Sequence, residues 1–226
     1  GGRELEEENT EDFGFDPESI DYLLLTHAHL DHCGRIPLLS KRGFKGEIIT
    51  TSATRELARL VLLDSAHLQE EEAEYKGRRK ARHGHKKHIE PLYTVLDALN
   101  STEYFGRSAK YNEPLMLVPG IRATFLDAGH ILGSASIYLE LEEGSRRRTV
   151  LFSGDLGNAS RPLLRDPVTP EHADVVVMET TYGDRLHKTL EPSVDELYTA
   201  INDTLERGGN VIIPTFALER AQELLF

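Results

Sequence analysis

A chain of 226 residues can bury a full core and has room for one or two domains. No apolar run approaches the ~20 residues that a membrane-spanning helix needs, and residues Gly1 to Glu8 contain no apolar stretch of the signal-peptide kind, so no membrane association is expected. The formal charge of −12 argues against a general electrostatic nucleic-acid binder, unless local basic stretches or bound cations reverse the field, and a single cysteine, Cys33, excludes an internal disulfide and fits a reducing cytoplasm.

Residues Glu4 to Glu11 are acidic and expected to be exposed, and they start without a preceding strand, as a fragment would. Phe13 to Pro17 reads as a loop, Pro17 to Ile20 as a helical turn capped by Asp16, and Asp21 to Thr26 as a buried strand. A short helix over Arg35 to Leu39 and a strand over Gly46 to Thr51 follow. Thr51 or Ser52 can cap a helix with Leu57, Leu60, Val61, Leu63 and Leu68 on its apolar side. That helix turns polar and meets Lys76, Arg78, Arg79, Lys80, Arg82, Lys86 and Lys87, with His83, His85 and His88 among them. The stretch reads either as a phosphate-contacting arm or second metal site, or as a solvated connector balanced by Glu70, Glu71, Glu72 and Glu74.

Ile89 to Asn100 reads as a helix, after which the pattern switches to period two. Leu115–Val118, Ile121–Asp127, Ser134–Glu142 and Arg147–Ser153 are predicted strands, with Glu143-Gly144-Ser145 as a hairpin turn. Asp174–Glu179 reads as a fully buried strand, Pro192–Arg207 as an amphipathic helix stopped by Gly208-Gly209, Val211–Pro214 as another buried strand, and Phe216–Phe226 as a starting helix. Antiparallel strands followed by alternating strand and helix predict an α/β sandwich leading into a parallel unit.

The chemistry concentrates at strand ends. Thr26-His27-Ala28-His29-Leu30-Asp31-His32-Cys33-Gly34 places three imidazoles and a carboxylate within six residues after an apolar run. The two-residue spacing of His27 and His29 points both rings to one side, and Asp31 and His32 follow in the turn, so one segment can feed two metal positions. Each of these residues alone is ordinary, since a surface His is usually solvated and Asp–His pairs form caps. Together, without a cation, they leave several polar groups poorly matched, whereas such N/O donors suit zinc. Cys33 is a poor nucleophile candidate, because a lone Cys is more often a small buried side chain. His130, in a glycine-bounded turn after Asp127, and Asp155, in Ser153-Gly154-Asp155, are ordinary turn residues alone, but beside the first motif they offer the third neutral ligand and the acidic bridge that a binuclear site needs. Glu179 ends an apolar run with a carboxylate that needs a partner or a ligand to orient.

The segment His27-Ala28-His29-Leu30-Asp31-His32 resembles the signature of the metallo-β-lactamase superfamily. Asp127 to Ala135, Ser153 to Gly157, Glu179 to Gly183 and Ile213 to Leu225 resemble its β-CASP branch, the RNA-processing nucleases that include the polyadenylation-factor endonuclease and RNase J. The resemblance implies an αββα metallo-β-lactamase sandwich over residues 1–183, truncated at its N-terminus, followed by the start of a β-CASP α/β domain over 184–226. It implies that His27, His29 and His130 bind one zinc, that Asp31 and His32 bind another with Asp155 bridging, and that Glu179 orients a neighbouring imidazole. Asp31, His32, Asp155 and Glu179 are thereby the expected catalytic set. The expected activity is cleavage of RNA phosphodiester bonds by a zinc-activated hydroxide, on single-stranded RNA, in the cytoplasm, with a homodimer as the candidate assembly.

In the family a strand ending in Asp precedes the first motif, and later segments bring the last zinc-binding His and the general-acid His. The chain is therefore expected to be an internal fragment, incompletely ligated at the second zinc, inactive and poorly stable alone. The rival readings are a small-ester or thioester hydrolase of the same superfamily, disfavoured by the segment from Glu179 to Leu225, and a non-catalytic scaffold paralogue, disfavoured by the retained donors. A DNA repair nuclease of the same branch is disfavoured by Ile131-Leu132-Gly133 after His130, which looks like the RNA type.

Overall fold

The computed structural model describes residues 9–82, 89–159, 161, 163–185 and 190–225. The chain divides into two compact units, Gly1–Met178 and Glu179–Phe226. The acidic Glu4 to Glu8 and the histidines His83, His85 and His88, together with Lys86, Lys87 and the Arg82 side chain, lie outside the described residues.

The first unit holds two sheets. Strands β1 (Tyr22–Leu24), β2 (Glu47–Thr51) and β3 (Phe105–Ala109) form a parallel sheet in that order, connected through helices α1 (Leu30–Cys33), α2 (Ile36–Lys41), α3 (Ser52–Arg82) and α4 (Val95–Ser101). Strands β4 (Leu115–Val118), β5 (Ile121–Asp127), β6 (Ala135–Glu143) and β7 (Arg146–Phe152) form an antiparallel meander, which β8 (Val175–Val177) joins parallel to β7. Period-two alternation sends one row of each sheet into a shared core: Ile49 and Ala109 meet Ala123, Phe125, Ala135 and Ile137. Tyr22 Oη donates to the Leu117 carbonyl at 3.0 Å, and Arg107 Nη1 donates to the Met116 carbonyl at 2.7 Å, which stitches the sheets at one edge. Helices α3 and α4 pack together, and α3 packs on β2 and β3, so the first unit is layered helix, sheet, sheet.

Several expectations need correction. The first sheet is parallel, and its third strand, β3, lies in a stretch where no strand was predicted; Gly106, Arg107 and Ser108 are exposed and hide the period. The buried face of α3 is Thr54, Ala58, Leu62, Ser65, Ala66 and Ala73, while Leu60 and Leu68 are exposed. Small residues let the helix approach the sheet closely, and of the predicted apolar positions Leu57, Val61 and Leu63 are partly buried. The basic stretch, as far as Arg82, continues α3 rather than forming a connector, supported by Glu72–Lys76 and Glu74–Arg78 pairs at i, i+4. The helix predicted from Ile89 starts only at Val95, because Thr94 and Asp97 close a capping box there.

Strand β8 is half-exposed rather than buried, since among the described residues it is the edge of its sheet and pairs only with β7. In the second unit, α5 (Leu190–Glu206) stops two residues before Gly208, which is in the left-handed region, and α6 (Arg220–Leu225) follows. Val211–Pro214 forms no strand among the described residues, and Ile212 is 89% exposed. A strand exists only where a ladder partner takes its N–H and C=O groups, and the described residues of this unit supply helices alone.

Candidate metal centre

Three loops at strand ends build the site. Beyond β1 the chain stays extended: Leu25 N–H donates to the Ile49 carbonyl at 3.0 Å, and Ala135 N–H donates to the Thr26 carbonyl at 2.8 Å. This clamp between the two sheets buries His27 and Ala28 completely. His29 keeps extended dihedrals and starts α1, whose single turn carries Asp31 at its beginning and His32 at its end, bringing the His32 ring to 4.0 Å from that of His27. The turn between β5 and β6 supplies His130, and the exit of β7 supplies Asp155.

The second and third loops lock to each other. Gly157 N–H donates to the Ala128 carbonyl at 2.9 Å, and a Cβ on Gly157 would overlap the Gly129 carbonyl. Glycine is required at 157 by close backbone approach, and that approach carries Asp155 to His130.

The donors converge. His29 Nδ1 lies 3.0 Å from His130 Nε2, and Asp155 Oδ2 lies 3.5 Å from His130 Nε2 and 3.6 Å from His27 Nε2. Asp155 Oδ1 lies 3.2 Å from His32 Nε2, which is 3.6 Å from Asp31 Oδ2. Two groups result, His27–His29–His130–Asp155 and Asp31–His32–Asp155, each with donor atoms within 4.8 Å of one another. Donors at 2.0–2.1 Å from one tetrahedral zinc sit roughly 3.3 Å apart, so these separations fit a metal-ligand shell.

His27 supplies the test of fit. Its Nε2 is buried without a hydrogen-bond partner, a state that costs free energy unless something fills it. Burial, reinforced by the imidazoles of His32, His130 and His29, lowers its pKa to about 2, and burial also lowers that of His29. His27 is therefore neutral at pH 7, with a lone pair ready for a cation. Thr26 Oγ1 lies 3.1 Å from His27 Nδ1; with Nδ1 as donor, Nε2 presents that lone pair to the cluster. Cys33 is inert as expected: its buried thiol donates to the Ala28 carbonyl, and burial raises its pKa to about 12.

All six donors singled out in the sequence, His27, His29, Asp31, His32, His130 and Asp155, come together in the first unit. Glu179 belongs to the second unit, where its Oε2 accepts from Thr181 N–H at 3.3 Å. Sequence reading missed the supporting hydroxyls of Thr26 and Ser134. A hydroxyl residue directly before the first His, and another four residues after His130, were the available signals.

Known proteins share much of this sequence. Residues 1–214 match the Metallo-beta-lactamase superfamily. The chain is 39% identical over 221 residues to a ribonuclease of Thermus thermophilus, covering 98% of this chain and 46% of that protein. It is 34% identical to the transcription termination factor FttA of Methanothermobacter thermautotrophicus, over 93% of this chain and 31% of the relative. It is 32% identical to cleavage and polyadenylation specificity factor 73 of Drosophila melanogaster, over 92% and 28% respectively. The chain thus spans less than half the length of these relatives.

Proposed function

The chain belongs to the metallo-β-lactamase superfamily, and from that premise we propose that it is part of a binuclear zinc ribonuclease of the β-CASP branch. The observation that carries the reading is Asp155, whose Oδ2 faces His27 and His130 while Oδ1 faces His32. One carboxylate thereby serves two adjacent cation positions. The names of the relatives, at 32–39% identity over more than nine-tenths of the chain, support RNA as the substrate. In this reading residues 1–183 belong to the metallo-β-lactamase domain and 184–226 begin the β-CASP domain.

His27, His29, His130 and Asp155 would hold one zinc, and Asp31, His32 and Asp155 would hold the other. When bound, two zinc ions supply Lewis acidity and lower the pKa of a water towards about 7. The chain's own work is to hold donors in place: buried His27 stays unprotonated, Thr26 fixes its tautomer, and the apposed glycine turns keep Asp155 between the two groups. The half-exposed rims at Asp31 and His32 leave that side of the cluster open to a phosphodiester. Glu179 is assigned the orienting role for an imidazole. Metal ions held there would offset the formal charge of −12 where a polyanion approaches. Cytoplasmic location, supported by the single reduced Cys33, single-stranded RNA as the preferred form, and a homodimer complete the proposal.

The test is metal content together with cleavage of a labelled single-stranded RNA by the longest expressible form of the protein and its His29→Ala variant. About two zinc per chain, with cleavage lost on substitution, is the expected result. Metal without RNA cleavage but with thioester turnover would replace this reading by a small-ester hydrolase, and absence of metal by a scaffold.

A further inference from the structure

We infer that Ser134 is a positioning residue for the metal centre: its buried hydroxyl clasps the His130 turn and sets the direction of the His130 ring. The inference rests on the reading of His130 as a metal donor. Ser134 is fully buried, and its Oγ accepts two backbone N–H groups, from His130 at 3.0 Å and from Ile131 at 3.2 Å. Its own N–H donates back to the Ile131 carbonyl at 2.9 Å, closing the turn on itself. Its carbonyl accepts from Ala128 N–H at 3.2 Å and from Tyr111 Oη at 2.9 Å.

The residue before it anchors the turn to the rest of the unit. Gly133 has a φ of +83°, and its carbonyl accepts from Thr51 Oγ1 at 2.7 Å and Thr54 Oγ1 at 2.8 Å. A Cβ at 133 would press on Thr54 N and Ala53 Cβ, so the turn is seated on the junction of β2 and α3. His130 therefore inherits its place from two directions: Gly133 ties the turn to the parallel sheet, and the Ser134 hydroxyl ties the His130 backbone to that anchored end. The Ser134 hydroxyl reaches the donor cluster through His130, which is the work of an outer hydrogen-bond partner of a metal ligand. Without the hydroxyl, the N–H groups of His130 and Ile131 lose their shared acceptor and seek others by rotating the turn.

The experiment is a zinc titration against a competing chelator, with the His130-dependent binding step identified by its loss in His130→Ala and with thermal unfolding followed in parallel. Ser134→Ala is expected to weaken that step roughly 10–100-fold and to leave the other step within about threefold. Ser101→Ala is the control, since Ser101 is equally buried and its hydroxyl donates to the Ala98 carbonyl at 2.7 Å within α4. It should lower the unfolding temperature and keep both affinities. If Ser134→Ala fails to fold, Tyr111→Phe removes one hydrogen bond to the same turn and should weaken the same step several-fold. Unchanged affinity in a folded Ser134→Ala, or in Tyr111→Phe where Ser134→Ala does not fold, overturns the inference and leaves the metal reading intact. Loss of affinity in Ser101→Ala in proportion to its stability also overturns it, by making the effect merely structural. Absence of metal binding in the unsubstituted protein overturns the underlying reading instead.

Discussion

His27, His29 and His130 stand with their rings edge to face and group with Asp155, and His27 is wholly buried. On the other oxygen the donors are looser: Asp31 and His32 ride on a four-residue helix, and the Asp31 side chain is 77% exposed. The first group is assembled by two sheets and two interlocked turns, the second by one helical turn. Preorganised donors give up little conformational freedom on binding, whereas an exposed Asp must be ordered by the cation itself. The two groups should therefore differ in affinity, the buried one being tighter.

The harshest test of that contrast is Asp155→Asn, which removes the shared carboxylate. Zinc affinity at both groups should fall by more than the ~100-fold typical of losing an outer partner, as read by competition with a chelator. If one ion stays tightly held, Asp155 does not join the groups. Gly157→Ala comes next: a methyl that overlaps the Gly129 carbonyl forces the two turns apart. A loss of about 1–3 kcal/mol in denaturant unfolding, with weaker metal binding, is expected.

Asp31→Ala sharpens the contrast from the exposed side. It should weaken one of the two steps about tenfold, less than any change to the buried group, and leave the unfolding midpoint of the metal-free protein unchanged.

Proton linkage separates the groups further. The folded state holds His27 unprotonated down to about pH 2, while the unfolded chain takes up that proton near 6.5. The contribution of His27 to the stability of the metal-free protein is therefore full above pH 6.5 and is lost as the pH falls from there towards 2. In His27→Gln the decline of stability should be shallower between pH 6.5 and 5, measured by denaturant midpoints.

The smallest effect belongs to a site remote in role. Arg107 grips Glu47 through Nε and Nη2, and this hydrogen bonding holds the Glu47 carboxyl below the usual range. Its contribution is present above pH 4.5 and is lost as the pH falls through the lowered value. Glu47→Gln should cost on the order of 1 kcal/mol at neutral pH and leave metal affinity untouched.

Local signals carried a good deal of this molecule. The hairpin strands Leu115–Val118 and Ile121–Asp127 stand where their period-two pattern placed them, Asp16 caps its helical turn through Glu18 N–H, and α5 stops before Gly208. Caps, turns and periodicity act over at most a few residues, so the chain's own order displays them. The same locality made every donor recognisable as a strand-end residue, and the spacing of His27 and His29 fixed their common side.

What lies between distant segments was not written in that way. Val175–Val177 and Val211–Ile213 look alike as sequence, yet the former pairs with β7 and the latter forms no strand among the described residues, because a ladder partner decides. The mostly small face of α3 became the buried one through its fit to the sheet, while Leu60 and Leu68 were left exposed. His29 and His130 touch across 101 positions of sequence only through sheet register and the apposition of Gly157 on Gly129. Residue type and local spacing thus determined which donors the protein offers. Packing between the two sheets decided which of them are buried, which are neutral at pH 7, and that one carboxylate stands between both groups, since desolvation and shared contacts exist only once remote strands have met.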